Sequence, residues 1–211
     1  MSFAYDEMYI SQASRVMGDM LDYAVNTLKI NIREFFDMFI VSKMAYQFEI
    51  GNPTYISGKN GCEVAKEVIK ICTDEYPNEE DCMYIDKSPE YWIGWALAQY
   101  QWYRSIDYAI IDSCQPIEDM YGMYKTLHEA DISLFIEVMD EKISTYRQAN
   151  MLRRLRKYAE LSQSQLATKS DVPLRQIQLF EQGQRDINKT QGETLRKLAN
   201  TLNCRIEDLI S

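Results

Sequence analysis

The side chains able to make or break bonds are few and poorly placed for it. His128 is the single imidazole in the 211 residues. It sits in TLHEAD, where Glu129 and Asp131 can orient it, but with no nucleophile beside it the residue reads as structural or surface. The five cysteines, Cys62, Cys72, Cys82, Cys114 and Cys204, are odd in number and scattered, which argues against a disulfide framework and predicts reduced thiols. The even spacing of the first three is far too wide for a zinc knuckle, so no metal is expected. Adjacent acids such as Asp140 and Glu141 belong to a solvated helix face. No Walker loop, GxGxxG, HExxH or GxSxG occurs. No catalytic residue and no cofactor is expected, and the chain does not read as an enzyme.

What the sequence offers instead is separated charge. The net charge of −9 is the wrong sign for a surface that meets phosphates, but it is an average over two unlike parts. From Ile143 onward twelve basic residues stand against seven acidic ones, a balance of +5, which leaves −14 for everything before. The basic part suits a polyanion, and the acidic part suits something else.

The elements that must position these charges are helices throughout. With 46% apolar and 26% charged residues the chain is expected to fold almost entirely, as two domains at residues 1–147 and 148–211. Asp6, Glu7 and Arg15 interrupt the opening segment, so it lacks the apolar core of a signal peptide, and no run reaches membrane-spanning length; a cytoplasmic protein with no membrane partner is the expectation. Helical spacing of Met8, Ala13, Val16, Met20, Tyr23 and Leu28 predicts a helix over 5–28. A second, over 32–49, carries Phe35, Phe36, Phe39, Ile40, Met44 and Phe48 and stops at Gly51-Asn52-Pro53. A third spans Cys62 to Cys72, and an exposed acidic loop follows around Glu79, Glu80 and Asp81. Ser88-Pro89-Glu90 is a strong helix start. The helix it opens reaches Arg104 with Trp92, Trp95, Ala96, Gln99, Trp102 and Tyr103 on one stripe, a core or packing interface sooner than a ligand pocket. Further helices are expected at 106–112, 116–127 and 131–147, with a joint at Tyr146–Asn150 through which a near-continuous helix would pass.

The most informative string is LRRLRKYAELSQSQLATKSDVPLRQIQLFEQGQRDINKTQGETLRKLANTLNCRIEDLI, from Leu152. It divides into five helices. The first runs to Glu160 with Leu152 and Leu155 inward. Ser162 caps a short second helix whose first turn holds Gln163 and Gln165. After the turn Ser170-Asp171-Val172, Pro173 opens a third helix that buries Ile177 and Phe180 and stops at Gly183. A fourth carries Leu195, Leu198, Ala199 and Leu202, and a last turn, 206–210, adds Leu209. Through SQSQLA, VPLRQIQLFEQG and LANTLNCRIEDLI, residues 150–211 resemble the Cro/CI, or XRE-type, helix-turn-helix family. Aspartate at 171 departs from the glycine usual in that turn, though it tolerates the left-handed region better than most residues.

The resemblance implies an all-α, lambda-repressor-like fold whose third helix enters the major groove. Because Ile177 and Phe180 face inward, the base-reading candidates are Leu174, Arg175, Gln178 and Gln176. Arg175 can chelate guanine O6 and N7, Gln178 can pair with adenine, and Leu174 can meet a thymine methyl. Gln163, Lys169, Arg185, Asn188 and Lys189 are the phosphate candidates. The family pattern also implies a partly buried ion pair between Arg156 and Glu181. A single module covers one half-site, so a homodimer on a pseudo-palindromic operator is expected, and with it a transcriptional regulator acting as a repressor. In the acidic part, YWIGWALAQYQWY and HEADISLFIEVM resemble stretches of antitoxin-type helix-turn-helix regulators. That implies a domain gripping a basic toxin in a protein that represses its own operon; a small-ligand-sensing repressor is the alternative.

Overall fold

The computed structural model describes residues 3–83 and 85–210, and the regular structure among them is all helical. The chain divides into two compact units, Met1–Met139 and Asp140–Ser211. The division falls ahead of the expected joint at Tyr146–Asn150 and lies inside a helix.

The first unit contains α1 (Ile10–Asp22), α2 (Ile32–Val41), α3 (Met44–Glu49), α4 (Pro53–Ile56), α5 (Gly61–Thr73), α6 (Pro89–Arg104), α7 (Tyr108–Cys114) and α8 (Met120–Leu127). It also contains the start of α9 (Ile132–Tyr158), which carries the chain across the division. The expected first helix is shorter at its front: Glu7–Tyr9 is a 3-10 turn, which breaks the period and leaves Met8 exposed. At its back the helix widens into a π turn, Tyr23–Thr27, closed by Leu28 N–H donating to Tyr23 O at 3.0 Å. The expected second helix is two. Ser42 ends α2 and Lys43 takes a left-handed φ of 62° before α3 begins, a break that no glycine or proline announces. Phe35, Phe36, Phe39, Met44 and Phe48 are buried as expected.

The central helix α6 starts as read: Ser88 Oγ accepts from Tyr91 N at 3.1 Å with Pro89 at the first position. Its burial is not a stripe. Ile93, Ala96, Leu97, Ala98, Tyr100, Gln101 and Trp102 are buried, whereas Trp92, Trp95, Gln99 and Tyr103 are half-buried. A helix enclosed on most sides has no polar face against which a period can show. Its approach to α1 requires glycine, since a Cβ on Gly94 would stand 2.4 Å from Met17 O. The acidic loop around Glu79, Glu80 and Asp81 is exposed, as expected, and it is also tied down. Lys66 Nζ donates to Glu79 O (2.6 Å) and Asp81 Oδ1 (2.8 Å), and Tyr23 Oη donates to Glu79 O at 3.0 Å. Inside the unit, Asp22 and Glu90 are buried but satisfied. Ser88 Oγ and Asn26 Nδ2 reach Asp22, Asn26 bridges to Glu90, and Tyr121 Oη donates to Glu90 at 2.7 Å.

His128 stacks on Tyr124 with ring centroids 4.5 Å apart and places Nδ1 2.8 Å from Tyr124 O, a packing role. Burial pushes the Cys62 thiol up to about 11, which makes it a poor nucleophile. No helix among the described residues is long and apolar enough to cross a membrane.

Candidate nucleic-acid interface

The second unit holds the rest of α9, then α10 (Gln163–Ser170), α11 (Leu174–Glu181), α12 (Gly192–Leu202) and α13 (Glu207–Ile210). The first of the five expected helices, from Leu152, is the last quarter of α9, which runs unbroken through Tyr146–Asn150 as the near-continuous helix expected there. Its core collects one or two apolar residues from each element: Leu152, Leu166, Ile177, Phe180, Leu198 and Leu209 are all buried. Ile187, on a 3-10 turn in the loop after α11, joins them at 2% exposure and so anchors that loop.

Local chemistry builds α10 and α11 in sequence. Ser162 Oγ accepts from Gln165 N (3.1 Å) while Gln165 Oε1 accepts from Ser162 N (2.8 Å), a capping box legible as Ser-x-x-Gln. Asp171 ends α10 in the left-handed region, φ 53°. Pro173 was expected as the first helical residue of α11. With ψ at 132° it is instead the residue before the helix, its carbonyl accepting from Gln176 N (2.9 Å) and Ile177 N (3.2 Å). The helix stops at Gly183, φ 66°, as expected.

A buried ion pair locks α11 to α9. Arg156 Nε donates to Glu181 Oε1 at 2.6 Å and Nη2 to Oε2 at 2.8 Å, with the two side chains 10% and 1% exposed. Arg156 Nη1 also donates to Leu161 O at 2.7 Å. The fork geometry satisfies both carboxylate oxygens, which is what makes a buried pair of this kind tolerable.

The candidate contact residues separate into two groups. Leu174 and Arg175, on the first turn of α11, are exposed, and Arg175 pairs with no described side chain; Gln178, one turn on, is half-buried. Lys169 and Asn188 are exposed, and Arg185 is exposed with its guanidinium 5.9 Å from the Phe180 ring centroid. The others are already engaged. Gln176 Nε2 donates to Thr190 Oγ1 at 3.1 Å, and Gln163 Nε2 donates to Glu181 Oε2 at 2.8 Å, which makes Gln163 part of the buried lock and not a free surface amide. Lys189 Nζ is held by Glu141 and lies 3.6 Å from Asp186 Oδ2. The Glu141 and Thr190 contacts have no local signal in the sequence, because each joins residues that only folding brings together.

A capped short helix, a three-residue turn, and a second helix that buries one side while presenting its first turn outward define a helix-turn-helix DNA-binding domain. The helix-turn-helix family model matches residues 152–209. This part of the chain is therefore a Cro/CI-type domain of a DNA-binding regulatory family. No curated protein and no solved structure matches the chain.

Proposed function

We propose that this protein is a sequence-specific transcriptional repressor that binds a pseudo-palindromic operator as a homodimer, each copy laying α11 in the major groove of one half-site. The observation that carries the reading is the two-faced character of α11. Ile177, Phe180 and Glu181 are buried, while Leu174 and Arg175 at its start are exposed and Arg175 has no described partner to give up. Arg175 reads a guanine, Leu174 packs on a thymine methyl, and Gln178 reads an adenine on the next turn. Gln176, tied to Thr190, acts at the edge of this set. Lys169, Arg185, Asn188 and Lys189 contact phosphates, and Gln163 does so with the amide hydrogen that Glu181 does not take.

Selection of bound sequences from random duplex, using the full chain, tests this directly. A two-fold symmetric consensus is expected, and Arg175→Ala should lose preference at one base pair per half-site. Equal losses on selected and random duplex would remove Arg175 from the reading.

The −14 charge ahead of Ile143 favours a second role, in which the first unit grips a basic protein and the whole acts as an antitoxin controlling its own operon. Co-purification with the product of an adjacent short basic reading frame supports it. A frame whose product does not bind removes it.

A further inference from the structure

Two adjoining hollows run along α9 on the surface of the second unit. One, of about 460 Å³, extends from Arg147 to Arg154. The next, of about 450 Å³, extends from Met151 to Tyr158 and is bounded by Glu207 and Asp208 at the start of α13. Met151 and Arg154 line both, so the two form one trough along positions 147, 151, 154 and 158, a single helix face. The opposite face of this stretch is committed to the core through Leu152 and Arg156. The trough face is open, with Tyr158 90% exposed.

The charges along it are unusual. Arg154 and Glu207 line the same hollow and are both exposed; Arg154 pairs with no described side chain, and Glu207 makes no hydrogen bond or close ion pair among the described residues, feeling only the charge of neighbouring Arg205, which Asp208 already holds. Arg147 is likewise exposed and unpaired among the described residues. Asp208, by contrast, is occupied by Arg205, whose N–H lies 2.8 Å from Asp208 Oδ2. A surface with an apolar floor, a cation on one edge and an anion on the other is complementary to a copy of itself turned by 180°, which is the requirement of an isologous interface.

We propose that this trough is the dimer interface, filled by the same trough of a second copy, with Arg154 of each copy against Glu207 of the other and Met151 and Tyr158 at the apolar centre. The inference rests on the reading of the protein as a DNA-binding dimer. It shares no residue with the base-reading or phosphate-contacting set, so DNA and the second copy can be held together.

Sedimentation velocity of the full chain without DNA is the test. The wild type should associate to a dimer. Arg154→Glu should weaken association by about 10-fold or more, Glu207→Arg should do the same, and the double exchange should return it towards the wild-type value, since each new pair again joins opposite charges. Restoration by exchange is what a merely structural role for either residue would not produce. Met151→Asp, checked for folding by circular dichroism, should also shift the population to monomer. A wild type that stays monomeric at every concentration overturns the proposal. So does a dimer indifferent to Arg154→Glu, or an exchange variant as weak as the single ones. Arg175→Ala should leave association intact while sequence preference falls, so failure of base reading and failure of this interface appear in different measurements.

Discussion

Burial by itself would raise the Glu181 carboxyl, but the Arg156 guanidinium and the Gln163 amide outweigh it and hold the group below its ordinary value. A carboxyl depressed in the folded state adds stability above its unfolded value, about 4.3, and loses it as pH falls through the folded one, because the unfolded chain takes up protons first. The second unit should therefore lose stability in that acid window. Glu181→Gln should cost about 3 kcal/mol near neutrality, by leaving Arg156 buried without its partner, and should flatten the acid limb; denaturant unfolding at a series of pH values reads both. Arg175→Ala should cost about 1 to 3 kcal/mol of discrimination at one base pair, seen by comparing matched and mismatched duplexes. Lys189→Ala should weaken all sequences alike and reduce the salt slope by about 1. Since Glu141 holds Lys189 in the free protein, Glu141→Gln should tighten binding to every duplex, more at low salt than at high.

Two element-level features set where stability is won or lost. Asp171 occupies the left-handed turn that glycine fills without strain, and its side chain reaches Lys197 Nζ at 2.8 Å. That ion pair is exposed and screened, whereas the backbone strain is not, so Asp171→Gly should raise the melting temperature of the second unit. In the first unit the α1 and α6 backbones approach at Gly18 and Gly94. A Cβ on Gly94 meets Met17 O at 2.4 Å and Met17 C at 2.8 Å, both backbone atoms that cannot step aside. Gly94→Ala should cost about 2 to 3 kcal/mol by forcing the helices apart, measurable by urea unfolding. Lys43, by contrast, shows a helix broken by conformation alone: Ser42 N–H closes onto Met38 O at 2.8 Å, Lys43 turns left-handed, and α3 starts in a new direction.

At the scale of the molecule, a basic helix-turn-helix unit and a strongly acidic one are joined through one helix, and the mean charge of −9 describes neither. Salt should weaken DNA binding with the steepness set by the few cations beside α11, whatever the net charge of the chain. How far each unit was legible follows from how local its signals are. In the second unit the cap at Ser162, the stop at Gly183, and the apolar spacing of Ile177, Phe180, Leu195 and Leu198 lie within a turn or two of what they determine. Sequence alone therefore specified five helices, their order, and the outward Leu174 and Arg175. In the first unit it specified that helices form and roughly where, but α6 is enclosed on most sides and carries no period, and the π turn at Tyr23 and the break at Lys43 have no local marker. Only the tertiary structure decided that Lys66 ties down the acidic loop, that Gly94 must be glycine, and that Gln163, Gln176 and Lys189 are engaged by Glu181, Thr190 and Glu141. Each of those depends on atoms far apart in the chain meeting within hydrogen-bond or van der Waals range, a distance that folding sets and that residue spacing does not encode.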